Sequence, residues 1–209
     1  MLTSLPNLLT LSRILVIPPI VALFFVDGEM PRWIALGLYA AACITDFFDG
    51  YVARSMGQIS RLGRFLDPVA DKLLVSAVIL MLVATGRIGG LIVLPALIIL
   101  IREILVSGLR EHLATIAVGV PVSKLAKWKT TIQMFALGFL IVHDASPDWI
   151  PSVSIGEAGV WIAAVLTLIT GYDYIQAGIH HLTDDEPTAE NSATPAKPDK
   201  ENPTGTAGI

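Results

Sequence analysis

Charge is scarce in this sequence. Asp, Glu, Lys and Arg make up 15% of its 209 residues while 54% are hydrophobic, against roughly 25% charged in ordinary soluble domains. That balance excludes a water-soluble enzyme. Nor is there an excess of positive charge: six of the 18 acids and two of the 14 basic residues fall in Leu182–Ile209, leaving twelve of each sign in the rest. A formally neutral body lacks the basic surface of a nucleic-acid binder, so no nucleic-acid partner is expected. Cysteine is nearly missing, and Cys43 alone cannot form an internal disulfide or a multi-cysteine metal site. Internal repeats and low-complexity tracts are absent from the body.

What is present is a succession of apolar stretches with short polar interruptions. A membrane-spanning helix needs about 20 residues, and six segments fit: Asn7–Phe25, Trp33–Tyr51, Asp67–Thr85, Gly89–Arg110, Lys127–Val142 and Gly156–Gly178. The expected architecture is an all-α integral membrane domain of six transmembrane helices over residues 1–181. The first segment has no basic leader or small-residue cleavage site and is expected to be retained. Lys and Arg concentrate in two connections, Arg54, Arg61 and Arg64 in one and Arg110, Lys124, Lys127 and Lys129 in the other, while the opposite side offers Arg32 and Arg87. This distribution places the basic loops and both termini in the cytoplasm, in a multi-pass protein of the cell membrane. Residues 182–209, rich in Thr, Asp, Glu, Pro and Ala, are expected to form a disordered acidic cytoplasmic tail.

Four aspartates break the apolar pattern. The uncharged run between Trp33 and Thr45 is too short to cross a bilayer, so its helix must continue through Asp46 and Asp49; Asp67 and Asp71 precede the uncharged run Leu73–Thr85 in the same way. With the second and third helices as antiparallel neighbours joined at the cytoplasmic side, all four carboxylates collect at one depth. Residues three or four apart share a helix face, so each helix presents a pair. Four carboxylates in a low-dielectric setting repel unless counter-charge is present. Divalent cations supply it, and oxygen-only ligands favour hard ions such as Mg²⁺ or Mn²⁺. The plainer alternative is that Arg54, Arg61 and Arg64 pair with these acids and fix helix packing. Gly50 and Gly63 favour a site, since glycine weakens a helix but lets another group approach the backbone.

In order, Asp46-Phe47-Phe48-Asp49-Gly50-Tyr51-Val52-Ala53-Arg54, eight residues, then Gly63-Arg64-Phe65-Leu66-Asp67-Pro68-Val69-Ala70-Asp71 give the pattern DxxDGxxAR…GxxxDxxxD. This resembles the CDP-alcohol phosphatidyltransferase family, with every signature position present. The resemblance implies a homodimeric membrane enzyme that joins the phosphatidyl group of a CDP-linked donor to an alcohol and releases CMP. It implies that Asp46, Asp49, Asp67 and Asp71 bind two divalent cations and that Asp71 is also the general base on the acceptor hydroxyl. By the same resemblance Gly50, Arg54 and Ser60, with Asn7 and Thr10 at the start of the first helix, contact the CDP donor. Metals neutralise developing charge on a pyrophosphate, and a forked guanidinium suits phosphate oxygens.

The acceptor is read from positive charge outside the signature. Arg102 and Arg110 lie eight residues apart, so Arg102 sits about 12 Å further inward, too deep to be a topology marker. Adjacent Glu103 is not expected to pair with it, because sequence neighbours point apart on a helix. With Lys127 and Lys129 these arginines form a candidate site for an anionic acceptor; Lys124 is explained by topology alone. Arg102-Glu103-x6-Arg110, Pro121-Val122-Ser123-Lys124 and Lys127-Trp128-Lys129-Thr130-Thr131-Ile132-Gln133 are similar to the family branch that makes phosphatidylglycerophosphate from CDP-diacylglycerol and glycerol 3-phosphate. Ala126 departs from the glycine that branch often carries. Branches using inositol phosphate or phosphatidylglycerol stay open. An ion-coupled transporter is the alternative from another class, although its acids would sit near the midplane between repeats rather than at one edge beside arginines. His112, His143, His180 and His181, and the Trp and Tyr residues, suit loop or interfacial positions; Asp173 suits a structural pair or a supporting acid.

Overall fold

In a bilayer an apolar segment has no water to satisfy its backbone, so it folds as a helix that bonds to itself. The computed structural model describes residues 5–56, 61–115 and 124–184, with side chains described for 8–46, 66, 68–111, 113 and 125–172. Among them are six α-helices and no strand: α1 (Leu5–Phe24), α2 (Glu29–Met56), α3 (Arg61–Ala84), α4 (Val93–Thr115, entered through a 3₁₀ turn at Gly90–Ile92), α5 (Lys124–Val142) and α6 (Ser152–Asp184).

Each expected segment coincides with a helix, but several helices run further. α2 and α3 extend to Met56 and from Arg61, so Arg54, Arg61 and Arg64 are helical rather than connecting, and α6 continues three residues past His181. Hydropathy marks where a helix meets hydrocarbon, not where its hydrogen bonds stop. The ends of α2 and α3 that carry the signature line one cavity, to which Cys43 and Asp46 come from α2 and Pro68 and Asp71 from α3. Among the described residues the two helices form no extended contact with each other; α1 packs against both. The order of packing continues from α2 to α5, α6, α4 and back to α3.

Ile20, Tyr39, Val78, Leu82, Leu140 and Ile141 are among the buried core. Gly90–Glu111, Leu125–Ala145 and Ser152–Tyr172 are each long and apolar enough to cross a membrane. The outer faces agree: Leu94, Leu97, Ile101 and Ile104 on α4, and Ile162, Val165 and Ile169 on α6, form exposed apolar stripes at helical spacing. A water-soluble monomer rarely exposes so much contiguous apolar surface. The chain is a multi-pass membrane protein.

The end of the bundle opposite the signature aspartates is closed by polar contacts. Arg32 pairs with Asp144, Trp33 Nε1 donates to the Ala145 carbonyl at 3.2 Å, and Arg87 Nη1 donates to the Ile141 carbonyl at 2.6 Å. The Arg87 guanidinium also stacks over Phe24, 4.6 Å from the ring centre. Burial, with Arg32 nearby, pulls its pKa below the usual guanidinium value.

α5 and α6 approach most closely where side chains are smallest, as membrane helices do in the absence of a hydrophobic force between them. A Cβ on Gly159 would lie 2.7 Å from the Ala136 Cβ, closer than two carbons tolerate. Gly159→Ala therefore forces the helices apart and is expected to cost about 1–3 kcal/mol, measured as a lower unfolding midpoint in detergent. An unchanged midpoint would show that the seam is not tight there.

Candidate active site

The apolar faces of α2, α3, α4 and α5 leave a polar cavity of about 610 Å³ between them. Asp46 from α2, Asp71 from α3, Arg102 and Arg110 from α4, and Lys127 and Lys129 from α5 all line it. Lys72 of α3 and Glu103 and Glu111 of α4 join them, so charges of both signs are interleaved around the cavity. Asp49, Gly50 and Arg54 lie in α2, Asp67 in α3 and Asn7 in α1, but their side chains are outside those described, and Ser60 lies outside the described residues altogether. Thr10 is fully buried and is not part of the cavity wall.

Three of the carboxylates that line the cavity, Asp46, Asp71 and Glu103, are matched by cations, while Glu111 lies exposed in its wall. Asp46 pairs with Arg13 of α1, whose side chain is only 2% exposed. Asp71 Oδ2 lies 2.9 Å from Lys72 Nζ, and the same Nζ lies 3.1 Å from Glu103 Oε2. Glu103 Oε1 pairs in turn with buried Lys129. One buried carboxylate on α4 therefore ties together α3 and α5. Two ions leaving water for such a site lose several kcal/mol of hydration each, which only close pairing offsets.

Arg102 reaches in two directions. Its Nη2 donates to Thr170 Oγ1 at 2.9 Å, and its Nη1 lies 3.5 Å from Glu103 Oε1. The expectation that Glu103 does not pair with its neighbour is corrected: adjacent residues leave a helix in different directions, but two long side chains at a cavity edge converge at their tips. Arg110 and Lys127 are exposed at the mouth, whereas Lys129 is buried beneath it. Arg13, Lys72, Glu103 and Thr170 were not anticipated as part of this network. A lone cation in the first apolar segment and a lone acid in the fourth were the available signals.

A second, apolar groove of about 550 Å³ runs between α2 and α5, lined by Trp33, Leu36, Ile44, Phe135 and Phe139 among others. It shares Cys43, Thr131 and Met134 with the polar cavity.

Replacing Glu103 with Leu strands Lys129 and Lys72 without their common partner, which is expected to cost about 3 kcal/mol. The Glu103→Leu/Lys129→Met double variant should recover much of that loss. Unfolding midpoints of the two variants in detergent check this; equal destabilisation would show that the pair carries no coupling.

Comparison with known proteins gives a consistent picture. The family model described as CDP-alcohol phosphatidyltransferase matches residues 3–169. A Rickettsia typhi protein named CDP-diacylglycerol–glycerol-3-phosphate 3-phosphatidyltransferase is 49% identical over 83% of this chain and 96% of its own length. The protein of that name from Escherichia coli K12 is 39% identical over 87% of this chain and 98% of its own. Among solved structures, Mycobacterium tuberculosis phosphatidylinositol phosphate synthase with CDP-DAG bound superposes with a TM-score of 0.62 at 19% identity, covering 85% of this chain and 87% of that one. It shares the fold.

Proposed function

Because the chain belongs to the CDP-alcohol phosphatidyltransferase family, we propose that it transfers the phosphatidyl group of CDP-diacylglycerol to glycerol 3-phosphate, forming phosphatidylglycerophosphate and CMP. The observation that carries this reading is the single cavity in which Asp46 and Asp71 face Arg102, Arg110, Lys127 and Lys129. The signature aspartates suit divalent cations that would hold a pyrophosphate, and the arginines and lysines suit an anionic alcohol. The names of relatives covered along nearly their whole length support the same donor and acceptor.

The chemistry assigns parts to named side chains. Asp46, Asp49, Asp67 and Asp71 hold two divalent cations, Mg²⁺ or Mn²⁺. The donor set fits hard cations, because Asp46 and Asp71 offer only oxygen donors at the cavity. When bound, such ions offset the charge that develops on the pyrophosphate as CMP leaves. Gly50, Arg54 and Ser60, with Asn7 and Thr10 at the start of α1, hold the CDP moiety. Arg102, Arg110, Lys127 and Lys129 hold the acceptor phosphate and so bring its free hydroxyl toward Asp71. Asp71 accepts that proton as the hydroxyl oxygen bonds to phosphorus and the bond from phosphorus to the CMP oxygen breaks. Effective concentration supplied by such positioning is a large share of the rate in reactions of this kind.

The distribution of Lys and Arg supports a six-span catalytic body over 1–181, with the site and both termini cytoplasmic and 182–209 an acidic appendage. A homodimer accords with the family.

Purified protein supplied with Mg²⁺ or Mn²⁺, CDP-diacylglycerol and glycerol 3-phosphate is expected to release CMP. Chelation should stop release and metal should restore it, while Asp67→Asn should abolish release and leave the unfolding midpoint near that of the parent. CMP formed with another alcohol but not with glycerol 3-phosphate would keep the family and overturn the acceptor. Arg110→Met is expected to raise KM for glycerol 3-phosphate more than KM for the donor; equal loss on both sides would assign Arg110 to the donor or to packing.

A further inference from the structure

α6 contributes none of the described residues that line the polar cavity, yet it holds one that does. Arg102 leaves α4 within a membrane-spanning segment and crosses the seam to α6. Its side chain is 12% exposed and borders both the polar cavity and an apolar groove formed by Ile98, Ile101, Leu105, Leu168 and Tyr172. A long cationic side chain at that depth tends to stretch toward the membrane surface. Two adjacent residues of α6 oppose that tendency.

Thr170 supplies the anchor. Its hydroxyl donates to the Leu166 carbonyl at 2.8 Å, so its one proton is committed to its own helix and its oxygen turns a lone pair to Arg102 Nη2 at 2.9 Å. Gly171 supplies the path. A Cβ there would lie 3.1 Å from Arg102 Cγ and 3.3 Å from Nε, so any larger residue presses on the stem of the side chain. The guanidinium is thereby held between a hydroxyl of α6 and, 3.5 Å from Nη1, the Glu103 carboxylate.

We propose that Thr170 and Gly171 are positioning residues that set affinity for the anionic acceptor by holding Arg102 at the cavity. The proposal rests on the reading that Arg102 binds the acceptor phosphate. A guanidinium already fixed loses less conformational freedom when the phosphate arrives, and its fork presents a constant geometry. Thr170 and Gly171 then act on acceptor affinity without lining the cavity themselves.

The test is steady-state CMP release by the full-length protein, varying glycerol 3-phosphate and CDP-diacylglycerol separately. Thr170→Val keeps the shape and removes the acceptor atom, whereas Gly171→Ala adds only the obstructing methyl. Each is expected to raise KM for glycerol 3-phosphate about tenfold while kcat and KM for CDP-diacylglycerol stay within about twofold. Thr170→Ser should restore the parent KM, and Thr170→Val added to Arg102→Met should cause no further rise. Should Arg102→Met raise KM while Thr170→Val and Gly171→Ala do not, the positioning role is wrong and the acceptor site stands. An Arg102→Met variant with unchanged KM would remove the acceptor reading itself. Parallel loss of kcat and of both KM values, or no rescue by serine, would reduce Thr170 to a packing residue and overturn the proposal.

Discussion

A carboxylate held inside a helix bundle within a membrane must be met by positive charge, and the architecture around the cavity follows from that requirement. Asp46 is met by Arg13, Asp71 by Lys72, and Glu103 by both Lys72 and Lys129. These pairs join α1 to α2 and α3 to α4 and α5, so the same charges that need compensation also fix where the helices stand. The net stabilisation from any one such pair is small, because hydration lost on burial offsets most of the attraction. Their larger effect is on register: a helix that slid by one turn would strand a charge in an apolar layer.

α1 gives the signature helices a common support. It packs on both α2 and α3, whose Asp46 and Asp71 line one cavity. α4 and α5 complete the walls with Arg102, Glu103, Arg110, Glu111, Lys127 and Lys129, so charges of both signs are interleaved around one space.

Much of this was legible in the sequence. The six helices follow from apolar run length, and the shared position of Asp46 and Asp71 follows from charges too close to the ends of uncharged runs to lie elsewhere. The depth of Arg102 was legible for the same reason. What was not legible depends on long-range packing. Nothing in residues 5–24 announces that Arg13 would meet Asp46, thirty-three positions away, or that α1 would pack against both α2 and α3. The local rule that neighbours diverge argues against Glu103 as a partner of Arg102; it holds for Cβ directions and fails for flexible side-chain tips. Thr170 and Gly171 look like ordinary members of an apolar helix, and only their apposition to Arg102 distinguishes them.

The continuity of the apolar groove with the polar cavity through Cys43, Thr131 and Met134 bears on how a lipid would be handled. Pulling a two-tailed lipid into water exposes its methylenes at about 0.8 kcal/mol each, a prohibitive sum for any acyl chain of ordinary length. An apolar wall that shares three residues with a charged one removes that demand, since hydrocarbon resting on the first would not have to enter water for a polar head to reach the second.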